Sequence, residues 1–323
     1  VPAAHQALQL ATGPTVSYIA ADDGHQIPLL AWLPTEFPKA CIHICHGMAE
    51  HAARYQDLAV TLTALGYAVF AHNHRGHGPD TKPHELGHYA DDGGWQKVTR
   101  DVLTVQHTLR GQYPRLNHFL VGHSMGSFIA QGALLAPEQS LVFAGLVLSG
   151  SGRDPAIKLA ALRLMVGSQR LLKGPHATSR LIHKLTFGAF AQSVKNRHTE
   201  FDWISRDPSA VAAYINDPLC GFDCTTQLWR DLGIGLSQLQ RPSALSAIPQ
   251  NLPVLIVSGD EDPVGDFGKG ARRLASAYRD SGHSDVSLHV LPGVRHEPFN
   301  ELNKEHIYQL LTQWLEDIPL PGL

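Results

Sequence analysis

The 323-residue chain predicts an α/β fold: a mostly parallel, eight-stranded sheet with helices on both faces and a helical insertion between core strands 6 and 7. Three observations predict it. Short apolar runs alternate with helix-period segments up to residue 150 and again from residue 250, whereas the roughly 100 residues between them carry helical runs and no strand. One junction from strand to helix reads Gly-His-Ser-Met-Gly. Residues 1–150 and 250–323 are therefore the expected core, and residues 151–249 the expected helical cap.

The elements follow in order. TVSYIAADDGHQIPLLAWLP alternates around Asp22, Asp23 and Gly24, the pattern of an antiparallel hairpin. KACIHICHG is a strand that breaks at His-Gly, and AARYQDLAVTLTALG has helical period and ends in glycine. YAVFAHNHRGHGPD is a strand entering a glycine-rich loop. WQKVTRDVLTVQHTLRGQYP is a helix, NHFLVG a strand, SMGSFIAQGALLA a helix and LVFAGLVLSG a buried strand. After the cap come the strand PVLIVSG, the helix GKGARRLASAYRDSG, the strand DVSLHVLPG and a last helix, NKEHIYQLLTQWLED. Near-continuous apolar strands between helices indicate a parallel sheet covered on both faces.

Composition narrows the function classes. A hydrophobic fraction of 43%, with Gly 29 and Pro 21, is that of an ordinary globular protein. The net charge of -3 gives no electrostatic footprint for phosphate backbones, so nucleic acid is excluded as the expected partner. No apolar run reaches a membrane-spanning length. The segment VPAAHQALQLATG lacks a basic leader followed by an apolar block, so no export signal is expected there. Cys41 and Cys45 would stand about 13 Å apart on one strand, too far for a disulfide. Cys220 and Cys224 could approach on a helix, but nothing suggests a stapled scaffold, and the expected setting is the reducing cytoplasm. The sequence carries no signal for oligomeric state.

Ser124 lies at the Gly-His-Ser-Met-Gly junction, the strand-turn-helix context of a nucleophile elbow. A hydroxyl near its free pKa is a poor nucleophile, so it needs a general base and an acid to orient that base. His296 follows the last strand and is the base candidate; His283, His289 and His306 fall in a turn, a strand and a helix. Asp260, Glu261 and Asp262 share one turn, and spacing alone leaves the two aspartates open.

Taken together, HGMAEH at 46–51, NHRGHG at 73–78, GHSMG at 122–126, DPLCGFDCT in the insertion, SGDED and GVRHE resemble the monoacylglycerol lipase and lysophospholipase branch of the α/β-hydrolases, also labelled serine aminopeptidase-like, S33. The resemblance covers most of the chain from residue 15. It implies Ser124 as nucleophile, His296 as base and Asp262, three positions after Gly259, as the orienting acid. It also implies an oxyanion hole made by the backbone N–H groups of Met48 and Met125, with His46 and Gly47 supporting that loop. Preorganised amides of this kind stabilise a developing oxyanion without reorganising. Asn73 and Pro79 depart from the commoner family form and are expected to be structural.

The implied reaction is hydrolysis of a carboxylic ester, a small lipophilic one such as a monoacylglycerol or lysophospholipid, through an acyl-enzyme and without a cofactor. Apolar cap residues, with Phe187, Phe190, Phe222 and Trp229 as the aromatic candidates, would favour an acyl chain by about 0.8 kcal/mol per buried methylene. Peripheral contact of the cap with a membrane or micelle surface is compatible with the same residues. An aminopeptidase would need an acidic pocket, for which Asp202, Asp207 and Asp217 are the candidates. A short-chain esterase or a carbon-carbon bond hydrolase could use the same triad, and a non-catalytic binding protein would keep its function without Ser124. No metal is expected: the closely spaced histidines near residues 43–51 and 72–77 follow no catalytic-metal pattern such as H-E-x-x-H.

Overall fold

The computed structural model describes residues 13–136 and 143–319. The hairpin is formed by β1 (Thr15–Ala20) and β2 (Gln26–Trp32), turning at Gly24 with φ 84°. Then follow β3 (Ala40–Cys45), α1 (Gln56–Ala64), β4 (Tyr67–His72), α2 (Gly94–Gln112), β5 (Asn117–His123), α3 (Met125–Ala133) and β6 (Gly145–Ser149). The first two residues of the predicted sixth strand, Leu141 and Val142, lie outside the described residues, as do the first twelve of the segment read for an export signal.

The insertion comprises α4 (Ala156–Lys173), α5 (Arg180–Leu185), α6 (Phe187–Ser193), α7 (Pro208–Asn216), α8 (Thr226–Leu239) and α9 (Pro242–Ala247). The core resumes with β7 (Val254–Gly259), α10 (Lys269–Asp280), β8 (Val286–Leu291) and α11 (Lys304–Asp317). Cys220 and Cys224 are not on a helix, contrary to the sequence reading. Pro218 cannot continue α7, and the Asp217 carboxylate accepts the Leu219 N–H at 2.8 Å to form a turn instead. All four cysteines are free thiols.

The eight strands form one sheet in the order β1-β2-β4-β3-β5-β6-β7-β8. Only β1 with β2 and β2 with β4 pair antiparallel; every pairing from β3 to β8 is parallel. Every residue of β3, β4, β6 and β7 is buried, as expected for parallel strands covered on both faces. One face packs around Trp95, Ile129 and Tyr278 from α2, α3 and α10; the other packs around Leu58, Leu62, Ile307 and Leu311 from α1 and α11.

Register places the functional loops together. Cys45 of β3 stands opposite Gly122 of β5, and His123 opposite Ser149 of β6, so the chain leaves these neighbouring strands at nearly one level. The loops after β3, β5, β7 and β8 all emerge at the carboxyl edge, where open α/β sheets bind ligands.

Candidate active site

Ser124 occupies the single-residue turn between β5 and α3 with φ 49° and ψ -120°. That left-handed conformation is costly for a side chain other than glycine and is sustained by the packing around it. Gly126 shows how tight the packing is: a Cβ there would sit 2.1 Å from the Cys45 carbonyl oxygen and 2.3 Å from that of His46. The absence of side chain at Gly126 lets α3 seat its first turn directly on the end of β3.

The His296 Nε2 atom is 2.9 Å from Ser124 Oγ, and His296 Nδ1 is 3.0 Å from Asp262 Oδ1. The alternative acid, Asp260, instead accepts the Gly293 N–H at 2.6 Å at the surface. Asp262 is fully buried, and its Oδ1 also accepts the Val264 N–H at 2.9 Å. Burial is the largest effect and opposes charging of His296, but the carboxylates of Asp262, Glu297 and Glu50 together outweigh it and hold the imidazole pKa above its ordinary value of 6.5.

The loop after β3 is fixed through His46. Its Nε2 accepts the His74 backbone N–H at 3.0 Å, so Nδ1 carries the proton and donates to the Gly47 carbonyl at 2.7 Å. The Gly47 carbonyl and the Met48 N–H belong to one trans peptide and point in opposite directions. Anchoring the carbonyl on His46 therefore fixes the direction of the Met48 amide. Met48 and Met125 line the same cavity as Ser124, and a Cβ on Gly47 would come within 3.3 Å of the Ser124 Cβ.

A family model described as serine aminopeptidase, S33, matches residues 36–303. The chain belongs to this family. A monoacylglycerol lipase of Mycolicibacterium smegmatis is 32% identical to this S33 hydrolase over 301 residues, covering 90% of this chain and 93% of that protein. A monoglyceride lipase of Homo sapiens is 31% identical over 300 residues, covering 91% and 88%. Among solved structures, a thermostable carboxyl esterase from Bacillus coagulans in complex with glycerol superposes with a TM-score of 0.85 at 26% identity, covering 95% of this chain and 99% of that one.

Around the triad geometry, the S33 hydrolase has features that the sequence reading did not assign. Arg54 is half-buried and bridges two buried carboxylates: it donates to Glu50 at 2.6 Å and, through both terminal nitrogens, to Glu297 at 2.7 Å. Glu50 in turn accepts the Gly47 N–H at 2.5 Å, and Glu297 directly follows His296. One ion-pair network thus ties the loop after β3 to the loop bearing His296. The signal is present in the glutamates of HGMAEH and GVRHE, two motifs that carry the family resemblance.

Trp203, from the insertion, lies with its ring centroid 5.3 Å from that of His296, and its carbonyl accepts the His296 backbone N–H at 3.3 Å. Burial and the neighbouring His296 hold His123, 4.9 Å away, down at a pKa of about 4, so it is neutral beside the triad. Nothing in local sequence distinguishes Trp203 from the other cap aromatics.

A cavity of about 440 Å³ opens over Ser124 and His296. Phe187, Phe190 and Trp229 line it, together with Leu162 and Met165 of α4. Phe222 does not; its ring packs 5.4 Å from His77. Asp202, Asp207 and Asp217 are also outside its wall, engaged respectively with the His198 N–H, the Ser209 N–H and His51. His51 therefore links the oxyanion-side loop to the insertion. Asn73 is structural: its side-chain oxygen accepts the Ala52 N–H at 2.8 Å.

Proposed function

We propose that this enzyme hydrolyses monoacylglycerols and related lipophilic monoesters through Ser124, His296 and Asp262. The observation that carries the reading is an apolar cavity, walled by cap aromatics, that ends on a serine hydroxyl already 2.9 Å from its base. The protein is a carboxylic ester hydrolase of the lipase and esterase type. Its relatives named as monoacylglycerol and monoglyceride lipases support the substrate class, and a volume of about 440 Å³ falls in the range of small-molecule sites.

In the proposed mechanism His296 Nε2 takes the Ser124 proton as Oγ attacks the ester carbonyl carbon. Asp262 holds the imidazole by Nδ1 and stabilises its charged form. The Met48 and Met125 amides receive the oxyanion. His296 protonates the leaving glycerol oxygen, then activates the water that releases the fatty acid. Residues 1–150 with 250–323 act as the catalytic core, and 151–249 as the substrate-reading cap.

Aminopeptidase action is disfavoured, because each carboxylate lining the cavity already has a cationic partner: Glu50 and Glu297 pair with Arg54, and Asp154 with Lys158. Ile157, Leu164, Leu171 and Leu172 on α4 are about 80% exposed, which supports docking of the cap on a lipid aggregate. Four free thiols support a reducing, cytoplasmic setting. The test compares monooleoylglycerol, monobutyrylglycerol, lysophosphatidylcholine and alanine p-nitroanilide as substrates. The reading requires the long-chain monoacylglycerol to give the highest kcat/KM; faster cleavage of the anilide would replace it with a peptidase.

A further inference from the structure

Among the described residues, three groups of histidine, cysteine and carboxylate side chains converge closely enough to hold a metal ion. Two are poorly suited. His43, Cys45 and His72 are sealed in the core, both His43 nitrogens are engaged by Gln106 at 2.9 Å and His72 at 2.8 Å, and burial keeps the Cys45 thiol protonated. His51, Asp217 and Cys220 depend on another thiol whose pKa burial raises.

The third group is His88, Asp91 and His176. His88 and Asp91 belong to the loop between β4 and α2, whereas His176 belongs to the insertion, between α4 and α5. Asp91 Oδ1 stands 3.2 Å from His88 Nε2 and 2.9 Å from His176 Nε2, and the three ligand atoms lie within 4.8 Å of one another. The imidazoles stack with centroids 4.4 Å apart. Zinc-class ions bind imidazole nitrogen and carboxylate oxygen at about 2.0–2.2 Å, so donors with these separations can share one ion after small side-chain rotations. Asp91 and His176 are exposed, which leaves an entry path.

His88 Nδ1 lies 3.1 Å from the Thr225 hydroxyl oxygen, so Nε2 is the ring nitrogen turned toward Asp91. In the Nδ1–H tautomer the Nε2 lone pair and the Asp91 carboxylate face the same point and can share a cation. The group also borders a second cavity of about 610 Å³.

We propose that His88, Asp91 and His176 bind one divalent transition-metal ion of the zinc, cobalt or nickel class, with solvent completing the coordination. The ion fastens a loop of the insertion to the core. It does so one residue from Tyr89, whose hydroxyl donates to Met125 Sδ at 2.7 Å. The site is separate from the triad and does not depend on the ester reading.

The test uses full-length protein without a polyhistidine tag, stripped of metal by a chelator. Zinc chloride is titrated against a chromophoric competitor, and thermal melts are recorded with and without zinc. Wild type should bind one equivalent and gain in Tm, because a ligand selective for the folded state raises stability by mass action. His176→Ala and Asp91→Asn should each weaken binding about tenfold or more and lose the gain in Tm. His84→Ala, an exposed imidazole on the same cavity, should titrate like wild type. Melts of the metal-free variants show that they fold. Identical titrations of wild type, His176→Ala and Asp91→Asn would place the ion elsewhere and overturn the proposal, as would the lack of a stoichiometric site at millimolar zinc.

Discussion

His296 is neutral when it accepts a proton and charged in the transition state, and its two contacts serve those states separately: Ser124 Oγ on Nε2, Asp262 on Nδ1. Because its pKa is raised above 6.5, the unreactive imidazolium persists to higher pH than in a free imidazole, and activity falls as pH drops through that value. The kcat/KM profile should show an acid limb with an apparent pKa above 6.5. Asp262→Asn should move the limb to lower pH and reduce kcat by about 10⁴-fold. An unmoved limb would assign the titration to another group. Arg54 gives a second prediction. Removing it leaves Glu50 and Glu297 buried and uncompensated, so Arg54→Leu should cost about 3–5 kcal/mol in denaturant unfolding. The contact of Ser124 with His296 was legible because strand ends and glycines mark both positions as the proposed nucleophile and base. Arg54 was not, since a lone arginine in a helix-like run looks the same whether it faces solvent or closes a buried ion network.

At the level of elements, the decisive joint is where α3 meets β3. Gly126→Ala would drive a methyl into the Cys45 and His46 carbonyls, and neither backbone group can rotate away. The expected result is a loss of about 2–3 kcal/mol in stability, with activity falling further because the Ser124 turn and the Met48 loop move apart. Gly167→Ala is the control, on exposed α4 with nothing within 4 Å of an added Cβ; it should leave both quantities unchanged or slightly raised. The strands and most helices could be read from periodicity, since buried parallel strands such as CIHIC are continuous apolar runs between turn signals. The insertion was harder. Its helices α5 and α6 meet at Thr186 without a loop, and their faces are set by what they pack against rather than by their own period. Phe222 shows the consequence, an aromatic assigned to the substrate wall that instead packs on His77.

For the whole molecule, the division of labour is between a rigid sheet edge that holds the triad and an insertion that supplies Trp203, the aromatic wall and an exposed apolar helix. The alternation of core strands and helices, and the helical insertion that interrupts it, were legible in the sequence; what the insertion recognises depends on tertiary packing that no local pattern encodes. If α4 docks on lipid aggregates, Leu171→Asp with Leu172→Asp should lower activity on micellar monooleoylglycerol several-fold while leaving a soluble p-nitrophenyl acetate rate intact. Equal losses on both substrates would indicate damage to the fold. The central claim, that Ser124 is acylated by lipophilic esters, is tested most directly by rapid mixing with excess p-nitrophenyl decanoate followed by acid quench and peptide mass analysis. The account predicts a burst of up to one equivalent of p-nitrophenolate and a decanoyl group on the peptide containing Ser124, both absent in Ser124→Ala. An acyl group on any other residue, or turnover that survives the substitution, would contradict it.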